Sequence, residues 1–271
     1  MEPKNNIREN KYADVPLRVK TWGYIIIVFA LGISHSIAMK IFISWIGFQV
    51  FYEFLRMFRV KINLVISSLL IGVPQFFLLH FCNLENYLLY SSGLLIGLII
   101  FFLIRKISFQ QLFGITIGII LSLLVFSHLV FVRESFWGVK ALIFLIVVTE
   151  LNDVFQYIMG KSFGTRKIMP EISPNKTWAG FIGGVLLTIF LSNILGYFLL
   201  HSTIFISTIL GFVLGVLGFF GDVFMSFLKR KASVKDTGQL LPGHGGLLDR
   251  MDSLIFNAPI FFWILPLFLK N

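Results

Sequence analysis

The sequence predicts an all-α polytopic integral membrane protein, with about nine spanning helices on a ruler of roughly 20 apolar residues per span, and a polar site on its cytoplasmic face. Two observations carry this prediction. The 271-residue chain is 57% hydrophobic and 13% charged, whereas a soluble domain carries about 25% charged residues. It also contains 32 Phe, more aromatic surface than a water-soluble fold can hide and no burden in a bilayer.

The expected spans lie near 21–38, 39–57, 62–82, 86–104, 109–132, 135–158, 178–200, 203–227 and 252–269. The first two are separated only around Ala38-Met39-Lys40. Residues 1–20 form a polar tail. The apolar run after it lacks a small-residue cleavage site and reads as a retained signal-anchor. An N-terminal membrane region then covers 21–134, and a C-terminal one covers 135–271. The one cysteine, Cys82, excludes an internal disulfide.

Charge placement orients the spans. The net charge is +10, which in a soluble chain would suggest nucleic acid. Here the cations cluster in alternate connections instead. They are Lys4, Arg8, Lys11, Arg18 and Lys20 in the tail; Arg56, Arg59 and Lys61 in the second connection; Arg105 and Lys106 in the fourth; Lys161, Arg166, Lys167 and Lys176 in the sixth; and Lys229, Arg230, Lys231, Lys235 and Arg250 in the eighth. Only Lys40, Arg133, Lys140 and Lys270 remain for the other side. By the positive-inside rule the rich side, with the N-terminus, is cytoplasmic. No nucleic-acid partner is needed to explain the charge.

Two polar loops then share that face, 159–177 and 228–250. Acids inside or beside spans are costly and mark function; they are Glu53, Glu150, Asp153, Asp222, Asp249 and Asp252. Asp222, Ser226 and Lys229 fall four and seven residues apart, on one helix face. Asp249 and Asp252 are three apart and are expected to share a face at the start of the last span. Three acids converging on one loop favour a divalent cation, because Mg²⁺ takes carboxylate and phosphate oxygens. Taken singly, each acid reads equally well as a salt bridge. The run Pro242-Gly243-His244-Gly245-Gly246 leaves backbone N–H groups free to approach phosphate oxygens. Ser173 and Pro174 are expected to start a helix, with Lys176 and Thr177 in its first turn as an anion site. Trp178 would be its interface anchor.

These residues name a family. Ser226, Lys229-Arg230, Lys235-Asp236, Gly238, Pro242, His244-Gly245-Gly246, Asp249-Arg250 and Asp252 closely resemble the signature of phosphatidate cytidylyltransferases. Ser173-Pro174, Lys176-Thr177-Trp178 and Gly180 look like a second family block, as do Asp153, Tyr157, Gly160-Lys161 and Gly164. The similarity covers roughly the C-terminal 120 residues. Residues 1–140 match in hydropathy and in Glu53-Phe54-Leu55. One departure stands beside the site: Asn152 precedes Asp153, and Val154-Phe155-Gln156 follows it where many bacterial members have small residues.

The resemblance implies CMP transfer from CTP to phosphatidic acid, catalysed from the 135–271 region of a homodimer; the short tail and compact loops point to a bacterial plasma membrane. It implies that Asp222 and Asp249 hold Mg²⁺ with Asp252 beside them, a second cation such as K⁺ being part of the expectation, and that Asp236 supports them. Asp222, Asp249, Lys176, Lys229, Lys235, Asp236 and Arg250 would be catalytic. Ser173, Lys176, Thr177, Lys229, Arg230, Lys235, Gly245, Gly246 and Arg250 would hold phosphates. Asp153, Ser226 and His244 would support the site, His244 as a hydrogen-bonding residue rather than a base. Two other readings stay open: cytidylyl transfer to an isoprenoid-type lipid phosphate, and a transporter, which would spread its polar residues through several spans near the midplane.

Overall fold

The computed structural model describes residues 27, 29–240 and 245–268. Over these residues the chain is mostly helical, with one short hairpin and non-helical connections between the elements. The helices are α1 (Ser36–Met57), α2 (Leu64–Phe81), α3 (Leu84–Ile104), α4 (Phe109–Ile119), α5 (His128–Glu134), α6 (Gly138–Phe163), α7 (Trp178–Leu195), α8 (Ile204–Lys231) and α9 (Leu254–Phe268). The antiparallel strands β1 (Lys167–Met169) and β2 (Ser173–Thr177) join α6 to α7. Six helical segments among the described residues are long and apolar enough to cross a membrane: 36–57, 64–81, 84–104, 109–134, 178–200 and 204–231. The protein is an integral membrane protein. Helix α6 is 26 residues long but carries Glu150 and Asp153, and α9 has only 15 residues. Residues 21–26 and 28 of the expected span 21–38 lie outside the described residues.

Helix starts follow local chemistry. Asn63 and Asn83 accept from the N–H groups of Ile66 and Asn86 at 3.0 Å each, and Ser108 with Gln111 closes a capping box on α4, so the first orphan donors are met. A π-helical segment, Ile120–Val125, continues α4 towards α5. A widened ladder shifts its carbonyls off their partners, and hydrocarbon offers none. Gln75 of α2 donates to Ser122 O at 2.8 Å and Tyr87 of α3 to Leu123 O at 2.6 Å. Both side chains are fully buried.

Three expectations need correcting. The break before α1 falls at His35, its N-cap, and Lys40 lies inside the helix. There Lys40 pairs with Glu134 at 2.8 Å, which draws the helix past the expected boundary. Ser173 and Pro174 do not start a helix: they lie in β2, and α7 starts at Trp178 with Thr177 as its N-cap. The Thr177 hydroxyl accepts from Gly180 N–H at 3.1 Å. Asp249 and Asp252 do not share a helix face, because Asp249 sits in a 3₁₀ turn, Leu248–Arg250, and α9 begins only at Leu254.

The charge-rich connections do gather at one end. Gln111 donates to Arg59 O at 3.1 Å, Gln110 to Lys231 O at 2.7 Å and Arg230 to Ile172 O at 3.4 Å. These bonds link the second, fourth, sixth and eighth connections. At the other end Lys40, Glu134 and Arg133 tie the start of α1 to the end of α5.

Candidate active site

Helices α6 and α7 approach closely because glycines face the contact. A Cβ on Gly184 would stand 2.3 Å from Gln156 Cγ, and one on Gly180 2.8 Å from Gln156 O. Asn152 locks the same layer: its amide accepts from Thr188 of α7 at 2.9 Å and donates to Gly215 O of α8 at 3.3 Å. The side chain that departs from the family pattern is thus fully buried and cross-links three helices.

At the connection-rich end of this layer lies a cavity of about 510 Å³. Asp153, Gln156, Tyr157, Gly160 and Lys161 of α6, Lys167 of β1, Ser173, Asn175, Lys176 and Thr177 of β2, Gly180 and Phe181 of α7, and Asp222 of α8 line it. The hairpin aims Lys176 inward. Its Nζ lies 2.6 Å from Asp222 Oδ2 and 5.1 Å from the Phe219 ring centre. The expected face on α8 is present, with Ser226 Oγ donating to Asp222 Oδ1 at 3.5 Å. Ser253 donates to Asp153 Oδ2 in a short hydrogen bond. Asp252 is within electrostatic range of Asp222, Asp153, Lys229 and Lys176. Gly221 makes this convergence possible, since a Cβ there would stand 2.4 Å from Asp252 O.

The second polar loop forms a neighbouring cluster around Asp249. Asp249 Oδ1 accepts from Lys229 Nζ at 2.9 Å. Its Oδ2 accepts from Thr237 N at 2.9 Å, Thr237 Oγ1 at 3.1 Å and Gly246 N at 3.0 Å. Gly246 was expected to offer its N–H to phosphate, but that N–H is turned onto Asp249. Gly245 makes the turn at φ +91°, a conformation that suits glycine. Lys235 and Asp236 are exposed, and Arg250 lies near Glu150. Lys229, Arg230, Lys235, Asp236, Asp249 and Arg250 stand outside the cavity lining. Pro242 and His244 lie outside the described residues.

Burial pushes the Asp249 carboxyl up, but Lys229 and the N–H groups of Thr237 and Gly246 outweigh it and hold it below the usual carboxylate range. A depressed native value stabilises the fold above the unfolded pKa of about 3.9, and that stabilisation is lost as pH falls through the native value. The thermal midpoint of detergent-solubilised protein should therefore drop more steeply below about pH 4 in the wild type than in Asp249→Asn. Identical acid profiles would remove Asp249 as the source.

Sequence reasoning gave Glu53 no partner. It is 1% exposed, and its carboxylate accepts from Thr237 Oγ1 at 2.7 Å, Leu247 N at 2.8 Å, Leu248 N at 3.1 Å and Gln49 Nε2 at 3.0 Å. It fastens the second polar loop to α1. Gly238 and Gly246 signal it weakly: a Cβ on Gly246 would stand 2.5 Å from Glu53 Oε2, and one on Gly238 3.1 Å from Oε1. Gln156, Lys161, Lys167 and Asn175 were also not singled out as site residues, because only the fold turns them to one cavity.

Fold and site define a membrane protein that collects cations and carboxylates at one end of a helical bundle, the arrangement that handling phosphates requires. A sequence model of the cytidylyltransferase family matches residues 17–268, and the chain belongs to that family. It is a nucleotidyltransferase. It is 37% identical over 265 residues to an uncharacterized protein, YnbB, of Escherichia coli (strain K12), covering 95% of this chain and 89% of that one. It is 41% identical over 133 residues to the phosphatidate cytidylyltransferase of Bacillus subtilis (strain 168), 49% of each chain. The Aquifex aeolicus (strain VF5) phosphatidate cytidylyltransferase is 45% identical over 116 residues, 42% of this chain and 43% of that one. The matches to these two enzymes thus span about half of their length.

Proposed function

We propose that the protein transfers CMP from CTP to phosphatidic acid, forming CDP-diacylglycerol and pyrophosphate at the cytoplasmic membrane interface. The observation that supports this most is the cavity, where Lys161, Lys167 and Lys176 surround Asp153 and Asp222. A phosphate oxygen of the lipid attacks the α-phosphorus of CTP. The new P–O bond forms as the bond to the β-phosphate oxygen breaks, and pyrophosphate leaves with that electron pair. Three anionic groups must meet for this to happen, so cations decide the rate. Lys176 exchanges Asp222 for a phosphate oxygen at little cost, and Lys161 and Lys167 receive the nucleotide tail. The nucleophile is already ionised at neutral pH, so the step needs no strong general base.

Asp222, Asp249 and Asp252 are the proposed holders of Mg²⁺, with a second cation such as K⁺ beside it. The donors suit a hard cation: all are carboxylate oxygens, and Asp153 Oδ1 close by is buried without a hydrogen bond among the described residues. Asp249 keeps its loop bonds on Oδ2, leaving Oδ1 to exchange Lys229 for metal. Among the described residues no three His, Cys, Asp or Glu side chains already form a metal group; Mg²⁺ is commonly held by one or two carboxylates plus substrate phosphates. Bound there, it would offset the charge of the transferring phosphoryl group.

The proposal carries with it nine spans, a cytoplasmic N-terminus, a bacterial plasma membrane, a homodimer and no nucleic-acid partner. Purified protein should release pyrophosphate only when CTP, Mg²⁺ and phosphatidic acid are all present. Release with an isoprenoid phosphate but not with phosphatidic acid would move the acceptor, and no release with any lipid phosphate would overturn the activity.

A further inference from the structure

Gln156 lies one turn along α6 from Asp153 and lines the same cavity. Its side chain is 5% exposed and packs over Gly184 of α7. The orientation of its amide is fixed by chemistry. Lys176 Nζ approaches one end of the amide at 3.3 Å. An ammonium can only donate, so that end is the carbonyl oxygen and the other end is the NH₂ group. This Nε2 is buried and makes no hydrogen bond among the described residues. Buried polar groups find partners as a rule, and an unpartnered amide N–H on a residue that lines a polar cavity calls for an acceptor from whatever binds there.

We propose that Gln156 is a substrate-binding residue, its side-chain amide donating to a phosphate oxygen held beside Lys176. The inference rests on the cytidylyl-transfer reading and adds to it a contact the family motifs do not contain. Two residues on one face of α6 divide the work. Asp153 offers a buried acceptor oxygen without a partner among the described residues, which suits a cation; Gln156 offers a buried donor without one, which suits an anion. Lys176 attracts any anion without regard to direction, whereas the amide N–H requires an oxygen at one position. Gln156 therefore adds placement to attraction. The oxygen belongs either to the nucleotide or to the lipid, and the kinetics separate the two.

The test compares the full-length wild type with Gln156→Leu, which removes the donor at similar volume, and with Gln156→Glu, which keeps the shape and replaces the donor with an anion. CTP and phosphatidic acid are varied independently in lipid nanodiscs. In Gln156→Leu the KM for one substrate should rise about tenfold to a hundredfold, as for a lost hydrogen bond to a charged group, while the other stays within about twofold. A rise for CTP assigns the oxygen to the nucleotide, and a rise for phosphatidic acid assigns it to the lipid. Gln156→Glu should lose more than Gln156→Leu, because a carboxylate repels the phosphate. Unchanged KM values for both substrates overturn the proposal, as does a lowered thermal midpoint with unchanged KM, which would make the amide a packing group only. Should Gln156→Leu fail to insert, Gln156→Asn, whose amide is a methylene short, is read the same way. If the wild type turns over no lipid phosphate, the activity reading fails and calorimetric binding of CTP and of pyrophosphate decides for Gln156. Weaker binding in the variants supports the contact. Equal binding, or none in the wild type, ends it.

Discussion

Asp222→Asn should abolish turnover. The substitution keeps the size of the side chain and removes the charge that Lys176 meets at 2.6 Å. Two losses follow. A hard cation loses a carboxylate ligand, and Lys176 is left to bind substrate phosphate without a counter-charge setting its position. Turnover should fall at least about a hundredfold, the scale on which removing one preorganised charge-stabilising group acts. The stability cost is smaller, since Asp222 keeps 27% of its side chain exposed; about 1–3 kcal/mol is expected for the group left unpaired. Asp249→Asn should be as inactive but less stable, because its Oδ2 also holds Thr237 and Gly246. Pyrophosphate release at saturating Mg²⁺, with membrane insertion checked separately, is the measurement. Near-normal release from either variant would take that aspartate out of the site.

Glu53→Ala should be the most destabilising single change in the N-terminal half. It strips the acceptor from Leu247 N–H and Leu248 N–H, both buried contacts, and removes the nearer of the two acceptors of the Thr237 hydroxyl. An orphaned buried donor costs about 1–3 kcal/mol. With water filling part of the gap, the total should be on the order of 3–5 kcal/mol, at the upper end for one substitution. Turnover should fall with it, because the loop carrying Asp249 loses its anchor. Glu53→Gln keeps the shape but turns an NH₂ group onto one of these donors, so it should fall between the wild type and the alanine variant. Unfolding and turnover followed together test this; an alanine variant that is fully active and equally stable would mean that the loop holds itself.

What could be read from the chain follows distance along it. Asp222, Ser226 and Lys229 share a face because helical spacing is a local property, and their alignment was visible without a fold. The gathering of the basic connections was visible too, because charge placement follows from membrane insertion. Glu53 stands out in the sequence as an acid in an apolar run and in the Glu53-Phe54-Leu55 match, but its partners in the second polar loop lie 184 to 195 residues away, and no period or spacing connects them. Ser173-Pro174 resembles a helix start in the sequence, whereas these residues lie in β2, which pairs with Lys167–Met169 across a turn. Gln156 looked like a family departure and no more, since the meaning of an unpaired amide depends on which cavity it faces.

The clamp at Glu53 also bears on biogenesis. The helix carrying it leaves the ribosome early, whereas Leu247 and Leu248 come near the end of translation. Until then the Glu53 carboxylate has Gln49 beside it but lacks its partners in the loop. The end of the bundle that carries Asp249 is therefore completed only once this loop has been made. Two halves of the chain expressed separately would each contain a spanning region, but only their reunion would supply the joint on which the signature loop hangs.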